Sequence, residues 1–165
     1  GKQSAYEEDI HVPFVIRYDK LQNTPRVDER MVLNLDLAPT LLELAGYAAT
    51  TTMDGTSMVP ILASTTAPWR DSFGIEHMTQ TEGEDADFPI PSYCAIRNTS
   101  FIFVRYKTGE EELYDRTTDP YELTNLAADS GYASIIETMR TQMYELCDPL
   151  PPDYQIQNNP SLYPK

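Results

Sequence analysis

The chain has 165 residues, enough for a domain with a buried core, and its 26 acidic against 12 basic side chains leave a net charge of −14. That balance argues against nucleic acid and against anionic membrane surfaces as partners. No run approaches the roughly eighteen apolar residues of a membrane span, and no N-terminal signal peptide is recognisable.

In chain order, residues 12 to 18 (VPFVIRY) come first and predict a short buried strand, because consecutive apolar residues of high β propensity suit a sheet covered on both faces. Residues 19 to 30 are a charged loop. A helix is predicted from Asp36 to Ala45: Asp36 caps it, Pro39 falls in the first turn where no donor is needed, and Gly46 ends it. Its apolar face, Leu37, Leu41, Leu44 and Ala45 with Leu42 flanking, should pack on a sheet. Asp54 and Gly55 make a turn, Ser57 caps a short helix through Leu62, and residues 63 to 69 form a linker.

Four strands follow, Ser72 to His77, Tyr93 to Arg97, Phe101 to Tyr106 and Glu111 to Asp115. The turns at Asn98 to Ser100 and at Lys107 to Glu110 make them an antiparallel meander. Asp115 and Asp119 are turn formers, Pro120 bends the chain, and a short helical turn is expected from Tyr121 to Leu126, closed by Asn125. A last helix, from Ser130 or Gly131 to about Cys147, places Ile135, Ile136, Met139, Met143, Leu146 and Cys147 at helical spacing, so it should cover one face of the sheet. Beyond Asp148 the Pro-rich sequence reads as an extended surface tail. Cys94 and Cys147 are either a disulfide closing a loop of about fifty residues or two buried thiols.

Few residues suggest chemistry on their own. Glu7, Glu8, Asp9 and His11 are the densest set of metal-type donors, but their spacing fits no known metal motif and reads as a polar loop. The acidic run from Glu82 to Asp87 lacks the glycine and terminal Glu of a calcium loop and reads as a solvated loop. His77, at the end of the first meander strand, reads on its own as a partly buried structural histidine.

Three segments carry a resemblance. GKQSAYEEDIHVPFVIRY at the start, VLNLDLAPTLLELAGYAATTTMDGTSMVPIL from Val32, and YDRTTDPYELTNLA from Tyr114 resemble, in family order, the C-terminal portion of the sulfatases, most closely the arylsulfatase and N-acetylglucosamine-6-sulfatase branch. The resemblance implies an α+β fold: a four-stranded antiparallel sheet packed by a C-terminal helix, preceded by a strand-helix piece of the α/β catalytic domain. It divides the chain into residues 1–62 (the end of the catalytic domain), 63–148 (the C-terminal subdomain) and 149–165 (the tail).

Sulfatases hydrolyse sulfate esters with a formylglycine made in a C/S-x-P-x-R context, beside a divalent cation that is usually calcium. Neither Cys94-Ala95-Ile96-Arg97 nor Cys147-Asp148-Pro149-Leu150-Pro151 satisfies that motif, and the family's catalytic histidines and Asp-Asp metal pair have no counterpart. The chain therefore reads as the C-terminal portion of a sulfatase, inactive alone. Calcium and formylglycine are expected in a full-length parent, with none in this chain.

The missing N-terminal catalytic domain is the implied partner, and a sulfate ester the implied substrate of the parent. The family is commonly secreted, periplasmic or lysosomal. Lys2 matches the family lysine that contacts a sulfate oxygen. His11 stands where the family carries Arg, which bears on a salt bridge or pocket wall, and His11 and His77 are the candidate substrate contacts. The alternatives are a phosphonate or phosphodiester hydrolase of the same superfamily, or a non-catalytic binding module supported only by the acidic surface and the Pro-rich tail.

Overall fold

The computed structural model describes residues 3–21, 24–79, 90–148, 150 and 154. The described chain falls into two compact units, one made of the residues up to Val12 together with those from Ser72 onward, the other of Pro13–Asp71.

The first unit is built on β1 (Ser72–His77), β2 (Tyr93–Asn98), β3 (Phe101–Tyr106) and β4 (Glu111–Asp115). They pair antiparallel in the order β1-β2-β3-β4, as the spacing of strands and turns predicts. The turn after β2 is held by Asn98, whose Oδ1 accepts from the Ser100 and Phe101 amides at 2.9 and 2.7 Å. Gly109 supplies the φ of +95° that the next turn requires.

Alternation along the strands sends Cys94, Ile96, Phe103 and Leu113 to one face, where they form a core with Ile136, Met139, Met143 and Cys147 of the last helix and its cap. That helix, α4 (Ala133–Leu146), follows a single 3₁₀ turn at Ser130–Tyr132, whose entry is fixed by Asp129 accepting from the Gly131 amide at 2.8 Å. Each fully buried side chain here, such as Ile96, Phe103 or Met143, contributes about 1.5–3 kcal/mol. Tyr154, expected on a surface tail, is instead a core residue, and its hydroxyl donates to the Arg105 carbonyl at 2.9 Å.

The opposite sheet face buries Tyr93, Ala95, Ile102, Val104 and Tyr114 under Ala5, Tyr6 and Ile10. The N-terminal segment thus covers the sheet face that α4 leaves open. It contains α1 (Glu7–Ile10), a four-residue helix with Glu7, Glu8 and Asp9 in its first turn, where carboxylates suit the helix dipole.

The turn sequence after β4 departs from expectation. Asp115 Oδ1 accepts from the Thr117 amide, and Asp119 Oδ2 accepts from the Leu123 and Thr124 amides at 2.8 Å each, as turn formers should. No helical turn forms at Tyr121–Leu126, because Glu122 takes φ +55° and redirects the backbone. Nor does Asn125 close such a turn. Its Oδ1 accepts from the Leu113 amide and its Nδ2 donates to the Glu111 carbonyl, both at 3.1 Å, while the Leu126 amide donates to the Leu113 carbonyl. The loop thereby satisfies the free edge of β4.

In the second unit, Asn34–Asp36 is a 3₁₀ turn leading into α2 (Leu37–Leu44), and α3 spans Val59–Ala63 with Pro60 in its first turn. Asp36 stands at the N-cap of α2 but makes no capping bond to it. Its buried carboxylate accepts instead from the Leu33 and Thr56 amides, at 2.8 Å each, and from both terminal nitrogens of Arg70. Burial pushes this carboxyl up, but the Arg70 hydrogen bonds and the two amides outweigh it and hold it below its ordinary value.

Thr40 Oγ1 takes over part of the second helix entry by accepting from the Met58 amide at 2.8 Å, while Ser57 Oγ accepts from Val59 N at 3.2 Å. Arg30 donates to the Ile61, Ser64 and Ala67 carbonyls at 3.0–3.1 Å, which closes the end of α3. Gly55 is required by contact, since a Cβ there would lie 2.0 Å from the Leu35 carbonyl oxygen.

Two apolar surfaces predicted to be buried are open. Residues 12–18 carry no regular element, and Val12, Phe14, Val15 and Ile16 are exposed, Val15 at 92%. A strand needs a neighbour to complete its ladder, and no described strand pairs with this segment. On α2 only Thr40 is buried, so Leu37 and Leu41 face outward rather than onto a sheet.

Candidate functional site

The densest polar arrangement lies where the N-terminal segment meets the sheet. Glu7, on the first turn of α1, receives Arg97 from the end of β2, with Nε at 3.0 Å and Nη2 at 3.2 Å, and Arg116 from the turn after β4, at 2.9 Å. The Glu7 amide donates to Glu122 Oε2 at 2.9 Å, and Arg116 Nε lies 3.3 Å from Glu122 Oε1. Burial raises the Glu122 carboxyl, while the Glu7 amide and Arg116 oppose that rise. A positive φ at a buried Glu costs of order 1–3 kcal/mol and persists only where its surroundings fix it. Here it delivers the carboxylate to the start of α1.

Beside this network is an aromatic cluster. His77, ending β1, stacks on Tyr93 of β2 with ring centroids 5.2 Å apart and 25° between planes. Tyr93 packs edge-on against Tyr106, and Tyr6 edge-on against Tyr114. Tyr93 donates to the Gln3 carbonyl at 2.9 Å, and Tyr6 donates to Glu112 Oε2 at 3.1 Å. Burial raises all four tyrosines above the ordinary phenol value, helped by the charge of Glu112, so they remain protonated donors at neutral pH. His77 Nε2 is buried and has no hydrogen-bond partner among the described residues.

The candidates named from sequence are therefore dispersed. His77 sits in the aromatic cluster. His11 is exposed at the end of α1, and its Nδ1 lies 3.0 Å from Glu7 Oε1. Lys2 and the run from Glu82 to Asp87 lie outside the described residues, but Gln3, which follows Lys2, is fixed to Tyr93. Glu7 is engaged by arginines, and Asp9 Oδ2 accepts from the amide and hydroxyl of Ser4, so the acidic segment serves as local scaffold.

The described residues do not fit a calcium centre. Their one cluster of three metal-type donors joins Glu76 to two thiols, a set too soft for calcium. Sequence reading missed Arg97, Arg116, Glu122 and Tyr93. The strand alternation that places Tyr93, Ala95 and Arg97 on one face was the available signal, but nothing local shows that the N-terminus covers that face.

Known proteins share this architecture. The family described as "N-sulphoglucosamine sulphohydrolase, C-terminal" matches residues 1–148. An N-acetylglucosamine-6-O-sulfatase of Bacteroides thetaiotaomicron is 28% identical, covering 80% of this chain and 24% of its own length. The N-acetylglucosamine-6-sulfatase of Homo sapiens is 30% identical, over 76% of this chain and 28% of its own. Among solved structures, a phosphonate monoester hydrolase of Agrobacterium radiobacter aligns with a TM-score of 0.62 at 27% identity, covering 73% of this chain and 26% of that one. The chain thus spans about a quarter of the length of the relatives it matches.

Proposed function

The chain belongs to the N-sulphoglucosamine sulphohydrolase C-terminal family, and from that premise we propose that it is the C-terminal region of a longer sulfatase, in which it helps form the cleft for a sulfate ester. The observation that carries this reading is the anchored N-terminal segment. Ala5 and Tyr6 lie on the sheet, Tyr93 holds the Gln3 carbonyl, and Glu7 is gripped by Arg97 and Arg116. This frame fixes the residue next to Lys2, which we assign as the cation that meets a sulfate oxygen. A positive charge there offsets charge building on the sulfuryl group and the leaving oxygen. His77, on the same sheet face as Tyr93, is the assigned neighbour for the ester's organic group, and His11 a more peripheral one.

The open apolar surfaces support a missing partner. Val12, Phe14, Val15 and Ile16, with Leu37 and Leu41 of α2, are the groups that a catalytic domain would cover. That domain would supply the formylglycine and calcium, for which this chain offers no fitting residues, so the chain alone is assigned no turnover. Residues 1–62 would close the catalytic domain and residues 63–148 form the subdomain, with Tyr154 of the segment beyond seated in the subdomain core.

The test compares hydrolysis of a chromogenic aryl sulfate by this chain and by the full-length parent. The parent should turn over and the chain should not. Activity in the chain alone would overturn the reading, whereas a parent that cleaves phosphonate monoesters but not sulfates would replace it with the chemistry named for the Agrobacterium relative.

A further inference from the structure

The core beneath α4 holds a pair of cysteines that the proposed hydrolysis does not use. Cys94 lies on β2, and Cys147 is the C-cap of α4. Both are fully buried and unbridged, and their Sγ atoms and a Glu76 carboxylate oxygen all lie within 4.8 Å of one another. The approach is built into the sheet. Glu76 and Cys94 are cross-strand partners, and at Gly74, the next position on the same face of β1, an added Cβ would come within 3.1 Å of Leu146 Cβ. The absence of a side chain at Gly74 thus lets the end of α4 settle on β1 and β2 and brings Cys147 to Cys94.

We propose that Cys94 and Cys147 form a disulfide under oxidising conditions, stapling the end of α4 to β2. Two arrangements compete for the pair, a disulfide and a bound soft cation. The two cysteines share one buried core cluster with Ile96, Phe103, Met139 and Met143, and the one additional donor among the described residues, Glu76, is exposed at the rim. A disulfide is neutral and suits that setting, whereas two thiolates and a cation would bring charge into an apolar core with three ligands instead of four.

The reaction is thiol–disulfide exchange with a small-molecule disulfide such as oxidised glutathione. One cysteine thiolate, exposed when the helix end opens, attacks the glutathione disulfide and forms a mixed disulfide, releasing one glutathione thiolate. The second cysteine then attacks the protein sulfur of that mixed bond, forming Cys94–Cys147 and expelling the second glutathione. Two electrons and the two thiol protons leave with the two reduced glutathiones. The thiol of Cys147 is raised by its hydrogen bond to Cys94 and by burial, so the exchange waits on opening of the helix end.

The test equilibrates the unsubstituted chain with oxidised glutathione, blocks free thiols under denaturing conditions, and maps peptides by mass spectrometry. The expected result is a monomer lighter by two hydrogens with a Cys94–Cys147 cross-linked peptide, melting about 10 °C above the same sample kept in phosphine reductant. A Cys94→Ala/Cys147→Ala variant, if it folds, should lose the difference, while the comparison with and without reductant needs no variant. Two alkylated thiols in the oxidised folded chain, or cross-links only between chains, would overturn the proposal. So would cobalt(II) producing thiolate charge-transfer bands that Glu76→Gln abolishes, with no cross-linked peptide, since the pair would then be a metal site.

Discussion

Replacing Glu7 by Ala should destabilise the sheet unit out of proportion to a surface ion pair. The Glu7 side chain is 16% exposed, and its arginine partners Arg97 and Arg116 are 13% and 15% exposed. The substitution removes three charge-assisted contacts at 2.9–3.2 Å. Such hydrogen bonds are each worth about 1.5–3 kcal/mol when well buried, and partial solvation discounts them, so the expected loss is about 2–4 kcal/mol. Urea denaturation followed by circular dichroism should show the midpoint falling by roughly 1–2 M at unchanged slope. Combined with Arg97→Ala in a double-mutant cycle, the coupling should be about 1–2 kcal/mol. A loss of no more than about 0.5 kcal/mol, the value of an exposed pair, would refute the claim that this network anchors the N-terminal segment.

Gly55→Ala should cost about 3 kcal/mol or more, because the new Cβ meets backbone that cannot move aside, whereas Gly46→Ala, with φ +76° but open space, should cost only about 1 kcal/mol; thermal melting of the two variants checks the contrast. Hydrogen bonds from Arg30, opposed by burial, hold the Asp28 carboxyl at about 2, below the usual aspartate range. Because the folded-state value is the lower one, the stability Asp28 contributes is fully present above about pH 5 and is lost as pH falls toward 2, so Asp28→Asn should flatten that limb of the melting curve. Tyr93→Phe keeps the ring against His77 but deletes the bond to Gln3, and should cost about 1 kcal/mol while raising amide exchange over residues 3–10.

The meander was legible almost to the residue, because β2 and β3 are rich in aromatic and β-branched residues and the two tight turns carry their own chemistry in Asn98 and Gly109. The last helix was legible from the spacing of Ile136, Met139 and Met143. What could not be read depends on partners distant in sequence. The strand expected at residues 12–18 has no neighbouring strand among the described residues. The helical turn at Tyr121–Leu126 fails because Glu122 adopts a left-handed backbone to reach Glu7, a contact across more than a hundred residues. Asp36 carries the right side chain for a cap, but Arg70 and Thr56 claim its oxygens. At the site, the motif residues were recognisable, yet the covering of the sheet's second face by Ala5, Tyr6 and Ile10 was not, because α1 is too short to show a period.

The proposed role of Lys2 is tested by kcat/KM of the full-length parent on a chromogenic aryl sulfate, measured with and without Lys2→Ala. With Lys2 in its proposed role of meeting charge that develops in the transition state, the expected loss is about a hundredfold or more, carried mainly by kcat. A Lys2→Ala parent that hydrolyses the ester at the unsubstituted rate would contradict it.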